Sequence, residues 1–426
     1  MILKESRLLK NTGWLLTLQG VNIILPFVTV PYVTRVFGTA QYGVFTIALN
    51  WVSYFQLVVQ YGFDLSATKK VVETKTAEER SALVSAVVVA RLMLVLLCAA
   101  VTVGLGLFGV ASGEQLACMS MLFSMLFGVA IQLNWLFQGL QDMKFITMAT
   151  ACARSLSVLL IFLLVHDDSQ LVLYSLLYSI TWLLSGVLTH VFAWKRYRIR
   201  MMRTTVKAVL HEMSDGTPIF LSSAAGNIIS SVGVTVLGAC RPSSVVGAYG
   251  AILKVPQMAN LMFTPVSQAL YPRVNEERMK SRSAAERLVA KVGVPVCIAF
   301  LGGMVLMVAV RVPLVNLLFG VEYVSESDTL IPLAVWVLLG IVDNFLGIQL
   351  LIPFGYQRLY SFLMVVDCVL SVVLTIAMGP VWGAMGVAWA IALSEAALTA
   401  ALALALFVVI RDERSTDRHY RKDVSK

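Results

Sequence analysis

Six ionisable side chains stand inside apolar stretches long enough to cross a bilayer: Arg91, Arg154, Lys254, Asp343, Asp367 and Glu395. Each costs at least ~2.5–3.5 kcal/mol at the bilayer centre on insertion scales, so each must face a partner or a wet cavity. The three cations suit an anion. In the first half, Glu114 and Asp142 fall at membrane edges and leave Arg91 and Arg154 without an acid inside the bilayer. An anionic cargo would supply the missing charge. The alternative is that these side chains bond backbone carbonyls or snorkel toward an interface. Asp343, Asp367 and Glu395 occupy the last three apolar stretches, where they form either a proton or cation relay or a structural network, since perturbed ionisable groups serve both ends. Amides accompany the charges. Gln19, Asn22, Asn50, Gln56 and Gln60 lie in the first two stretches, and Asn227, Gln257, Asn260 and Gln268 in the seventh and eighth. They either bond neighbouring helices or line a cavity that satisfies many hydroxyls.

No catalytic set emerges, and the chain reads as no enzyme. Its four histidines show no metal spacing, and His166-Asp167-Asp168 reads as a solvated turn rather than a cation site. There is no Gly-x-x-x-x-Gly-Lys-Ser/Thr loop, hence no ATP-driven pump in this chain. Energy must come from a gradient, with H+ or Na+ as the coupling ion, or from supply and removal of the substrate. The six cysteines are scattered without a Cys-x-x-Cys pair and read as small packing residues.

The elements that position these residues follow from composition. Of 426 residues, 58% are hydrophobic and 13% charged, against about 25% charged in a soluble domain; the mean hydropathy is +0.82. Twelve apolar spans fall near 12–34, 41–63, 83–109, 115–139, 145–165, 170–194, 215–239, 245–271, 288–310, 329–353, 361–378 and 384–410. One set of flanking segments carries 27 Lys and Arg and the other only Arg35, Arg241 and Arg311. The positive-inside rule then makes both termini cytoplasmic. The basic residues are spread over many short loops, so nucleic acid is no partner. The basic start followed by a long run, broken by Gln19, Asn22 and Pro26, reads as an uncleaved first span rather than a signal peptide.

The basic loop at residues 195–207 divides the spans six and six. The expected domains are a six-helix bundle at 1–200, a cytoplasmic interfacial segment at 201–214, a second bundle at 215–410 and a basic tail at 411–426. The outer turns RVFGTAQYGVF and LGACRPSSVVGAYGAI place Tyr42-Gly43 and Tyr249-Gly250 in register 207 residues apart. Even numbers of spans make the halves point the same way, about an axis along the membrane normal. The segment RYRIRMMRTTVKAVLHEM, with Met201, Met202, Val206, Val209, Leu210 and Met213, predicts a helix lying on the anionic inner leaflet.

PYVTRVFGTAQYGVF, YGFDLSATKKV, NWLFQGLQDMKFIT, QALYPRV, LLFGVEY, QLLIPFGYQRLY and GPVWGAMGVAWAIALSE, in that order between about residues 10 and 410, carry a resemblance. The sequence resembles the oligosaccharide (polysaccharide repeat-unit) flippases of the multidrug/oligosaccharidyl-lipid/polysaccharide exporter superfamily. The resemblance implies an all-α membrane protein with two six-helix bundles. It also implies a carrier that moves a polyprenyl-diphosphate-linked oligosaccharide from the inner to the outer leaflet of a bacterial cytoplasmic membrane by alternating access. Partners would be the lipid-linked oligosaccharide, membrane lipids, and a polysaccharide polymerase with its chain-length machinery. Lys254, Arg91, Arg154, Arg35, Asn50 and Gln257 become substrate-binding candidates, and Glu395, Asp343 and Asp367 coupling or gating candidates. Arg35 either meets an emerging diphosphate or anchors the first span in the headgroups. A peptidoglycan-precursor flippase and a cation-coupled drug exporter of the same superfamily stay open as alternatives. An exporter of organic cations would want acids rather than Arg91, Arg154 and Lys254. Short outer loops argue against an enzyme of glycan assembly.

Overall fold

The computed structural model describes residues 2–109 and 111–424, and the side chains of residues 1–10, 12, 222, 225, 226 and 409–426, the last run including the basic tail, lie outside the described set. Among the described residues there is no strand. In hydrocarbon every backbone polar group must be paired within its own segment, and helices do this. Eight helices among the described residues are long and apolar enough to cross a membrane, and two of these are long enough to cross twice. The first, α1 (Ile2–Gln60), bends at Gly38, and the last, α14 (Gln357–Val424), bends at Gly383; both glycines have left-handed φ, 64° and 60°. These bends are the turns between the first and the last pair of spans.

The chain forms two compact units. One comprises residues 1–238 and 242–248, the other 239–241 and 249–426. In the first unit α2 (Phe63–Glu73) leads to α3 (Ala77–Leu107), which starts on a capping box of Thr76 and Glu79. A second box, Ser112 with Gln115, starts α4 (Gly113–Ile131). Then α4 stops early: Gln132 is extended, and α5 (Asn134–Gly139) is a separate short helix before α6 (Met143–Leu164) and α7 (Leu171–Tyr197).

Residues 198–205 are not helical, contrary to the interfacial helix read from the pattern. The amides of Arg200 and Met202 donate to the buried hydroxyls of Ser81 and Ser85 on α3, at 3.1 and 2.7 Å. These side-chain acceptors offer the backbone an alternative to helical pairing, and helix resumes at α8 (Val206–Cys240).

α8 packs along the second limb of α1. Asn50 Nδ2 donates to Thr235 Oγ1 at 2.8 Å, Tyr54 bonds the same hydroxyl at 2.9 Å, and Tyr61 stacks on Phe220 with centroids 4.7 Å apart. Lys70 on α2 reaches Glu212 at 2.8 Å and Asp215 at 2.6 Å. Beyond α8, the start of α9 (Ser243–Ile252) crosses α1 so closely that a Cβ on Gly43 would strike the Ser243 carbonyl and one on Gly247 would strike the Thr39 carbonyl. The contact is reciprocal: each glycine meets the carbonyl four residues before the other. A side chain at either position would have to displace a backbone carbonyl, so this crossing requires glycine on both helices.

In the second unit, α10 (Lys254–Lys280), α11 (Arg282–Ala309), α13 (Leu330–Asp343) and a π-helical stretch (Asn344–Leu351) surround an apolar core of Phe263, Leu270, Val337, Ile341, Phe345 and Leu402. The short α12 (Arg311–Phe319) closes the loop before α13, with Gly320 at φ 107°. Arg241 donates through Nη2 to the carbonyls of Pro380 and Val381, at 2.7 and 2.9 Å, and so ties down the turn around Gly383.

Candidate functional site

Two of the sequence motifs meet in the first unit, and Arg91 joins them. Its Nη2 donates to Asp64 Oδ1 at 2.7 Å, from the YGFDLSATKKV segment. Its Nη1 donates to the carbonyls of Val129 and Gln132, both at 3.2 Å, where α4 stops before the NWLFQG segment. The guanidinium lies 5.7 Å from the Phe63 ring centroid. Thr68 Oγ1 adds a bond to the Trp135 carbonyl at 3.1 Å. Arg91 is 1% exposed. It thus has the acid partner that the sequence reading did not find. Asp64 sits just beyond the second span, at the inner-side depth of Arg91, and that shared depth was the available signal.

Arg154 is placed differently. It projects from α6 into a cavity of about 230 Å³ lined also by Asn22, Gln132, Asn134, Thr181 and Ser185. Arg154 Nη1 donates to Asn22 Oδ1 at 2.5 Å, and no carboxylate lies within ion-pair distance of it among the described residues. Gln132 Nε2 donates to Ser185 Oγ at 2.8 Å, whereas the buried Asn134 Oδ1 has no partner. α7 is held against α6 by Ser157, whose hydroxyl donates to the Leu177 carbonyl at 2.6 Å. A half-buried guanidinium among amides and hydroxyls, with no carboxylate beside it among the described residues, has the chemistry to take an oxyanion.

The other candidates in this unit have local tasks or stand apart. Asn50 bonds Thr235 on α8. Arg35 is exposed near the Gly38 bend. His166-Asp167-Asp168 is a capped turn: the Asp167 carboxylate accepts from the Ser169 amide at 2.9 Å, and this bond holds its pKa below the usual carboxylate range.

In the second unit Lys254 opens α10 immediately after a break at Leu253. It has no hydrogen-bond or ion-pair partner among the described residues, and Gln257 one turn on has no side-chain bond. The three acids are brought together. Asp343 faces Glu395 and Thr399, and Asp367 lies near enough to both acids to repel their charge. Asp343 is 6% and Asp367 4% exposed, and three of their four carboxylate oxygens lack a partner. Beside them Ser267 Oγ donates to Asn344 Oδ1 at 2.8 Å, and Gln349 Nε2 donates to the Ser267 carbonyl at 3.1 Å. Three carboxylates in an apolar bundle cannot all stay ionised without a cation or shared protons.

The first unit thus holds a polar cavity and the second a buried acid cluster, and comparison with known proteins gives the family. The profile of the family described as "Polysaccharide biosynthesis protein" matches residues 8–276. The chain belongs to that family. It is 23% identical over 381 residues, 88% of this chain and 91% of the relative, to the "Putative O-antigen transporter" of Escherichia coli (strain K12). The protein of the same description from Shigella dysenteriae is 24% identical over 392 residues, 91% of this chain and 96% of its own length. Among solved structures, the fold is similar to "Lipid II flippase MurJ, inward closed conformation", with a TM-score of 0.74 at 12% identity over 93% of this chain and 87% of that one. It is also similar to an inward-facing multidrug resistance MATE family transporter of the MOP superfamily, with a TM-score of 0.66 at 14% identity over 92% and 99% of the two chains. At these identities the structural likeness establishes the twelve-helix transporter fold alone. The chain is a multi-pass membrane protein with the fold of these transporters.

Proposed function

We propose that this protein is a flippase that carries a polyprenyl-diphosphate-linked oligosaccharide, a polysaccharide repeat unit, from the inner to the outer leaflet of a bacterial cytoplasmic membrane. The observation that carries this reading is Arg154, a cation without a carboxylate partner, set in a cavity of amides and hydroxyls. The substrate class follows from that lining. Each sugar hydroxyl left unbonded in hydrocarbon costs several kcal/mol, so unaided flipping is negligible. Amides and hydroxyls take the sugar's hydrogen bonds, and Arg154 takes the diphosphate. The polyprenyl tail never leaves lipid. Lys254 is the second cation assigned to the anionic cargo. Arg91 is assigned to structure instead, because Asp64 and two carbonyls already use its donors.

Asp343, Asp367 and Glu395 are assigned to coupling, with a proton or Na+ as the ion that lets the cluster exist. The relatives described as O-antigen transporters support the polysaccharide cargo, and the excess of cations on one face supports cytoplasmic termini. The experiment is complementation in a host that lacks its own repeat-unit flippase. Surface polysaccharide should return with the wild-type gene, and lipid-linked repeat units should cease to accumulate inside. Continued accumulation with well-expressed protein would refute the reading for that repeat unit.

A further inference from the structure

On the flank of the second unit, α11 and α13 diverge to leave a groove of about 400 Å³. Leu301, Val305 and Val308 form one wall and Ile331 and Val335 the other, and Val305 is 60% exposed. In a bilayer an apolar groove alone carries no information, because any acyl chain covers it. This one has a distinctive mouth. Arg311 lies two residues past Ala309, and Asp328 three before Ile331. Arg311 Nε donates to Asp328 Oδ1 at 2.6 Å, and its Nη1 donates to the Val308 carbonyl at 3.3 Å. Arg311 Nη2 and Asp328 Oδ2 make no further bond among the described residues. Both side chains are accessible, at 32% and 56%. The surrounding segment, residues 311–329, holds one cation against Glu322, Glu326 and Asp328.

We propose that this groove binds one phospholipid with a zwitterionic headgroup bearing a primary amine, the chemistry of phosphatidylethanolamine. One acyl chain lies between α11 and α13. The phosphate meets Arg311 Nη2, and the ammonium donates to Asp328 Oδ2. Charge complementarity selects this occupant. A phosphatidylglycerol or a polyprenyl diphosphate has no positive group to set against Asp328 and its acidic neighbours. The groove spans about 12 Å along α11 at 1.5 Å per residue, enough for the outer part of a chain.

The test is native mass spectrometry of the purified full-length protein in detergent, with equimolar phosphatidylethanolamine and phosphatidylglycerol added. The wild type should retain one phosphatidylethanolamine in preference to phosphatidylglycerol. Asp328→Asn should reverse that preference, because it leaves Arg311 unopposed. Val305→Trp should displace the lipid while the melting temperature of the protein holds. Retention of phosphatidylglycerol as strongly as phosphatidylethanolamine by the wild type would overturn the proposal. So would unchanged phosphatidylethanolamine retention in both variants. Should Val305→Trp aggregate, Asp328→Asn, at an accessible position, decides the matter by itself.

Discussion

The Arg91 junction permits a quantitative prediction. Arg91 is 1% exposed while the Asp64 side chain is 48% exposed, so the two halves of this ion pair are unequal. Replacing Asp64 by Ala orphans a buried guanidinium, and breaking a buried pair in this way costs 3–5 kcal/mol. Water can reach the half-exposed Asp64 position and replace part of what is lost, so the low end applies, about 3 kcal/mol. Replacing Arg91 by Met leaves Asp64 free to hydrate but takes the donor from the Gln132 carbonyl, while the Val129 carbonyl keeps the Gln132 amide at 3.4 Å, so the loss is about 1–3 kcal/mol for the one group left unpaired. The double variant removes the orphaned charge as well. It should be less damaged than the sum of the singles by about 1.5 kcal/mol or more, as expected for residues sharing one network. The assay is a double-mutant cycle on unfolding in detergent micelles, read as denaturation midpoints and slopes. Additive effects, or Asp64→Ala within ~0.5 kcal/mol of wild type, would refute the argument that Arg91 is a structural clamp.

Three further outcomes follow. Gly43→Ala drives a methyl group into the Ser243 carbonyl and should destabilise the protein by about 1–3 kcal/mol. Gly104→Ala, with nothing within 4 Å of the new Cβ, should be neutral or slightly stabilising; equal effects in thermal melts would contradict the close crossing of α1 and α9. Lys254→Ala should abolish glycan export in cells while leaving membrane insertion and protein level intact, and normal export would remove Lys254 from the transport path. Glu395→Gln should lose the response of transport rate to an imposed proton or Na+ gradient, and a gradient response equal to wild type would remove Glu395 from coupling.

Much of the fold was legible because its signals are long. Apolar runs of about twenty residues, and an imbalance of 27 to 3 in flanking cations, survive any local ambiguity. The turns at Gly38 and Gly383 fall in the gaps left between the spans read from the sequence, 35–40 and 379–383. Local tertiary bonding was less visible. The hydroxyls of Ser81 and Ser85 take the amides of Arg200 and Met202, and no periodicity in residues 198–205 announces that choice. The close approach of Gly43 and Gly247 was hidden for a similar reason, because neither glycine's own neighbours in sequence name the backbone it must meet. Among the charges, the sequence picked out Arg91 and Arg154 but could not rank them. Arg91 and Arg154 look alike in sequence. Only the position of Asp64 beside one and an open, amide-lined cavity beside the other separates a clamp from the cation proposed to receive the cargo.

Flipping by the purified protein in proteoliposomes tests the central claim most directly. A polyprenyl-diphosphate oligosaccharide would be loaded in one leaflet and its arrival in the other detected with a membrane-impermeant glycosidase. Wild-type protein should expose the sugar, and Arg154→Gln, stable and correctly inserted, should slow exposure about 10- to 100-fold, the equivalent of losing a charge-assisted bond of ~1.5–3 kcal/mol. Exposure of sugar at the wild-type rate by Arg154→Gln, or no protein-dependent exposure at all, would contradict the account.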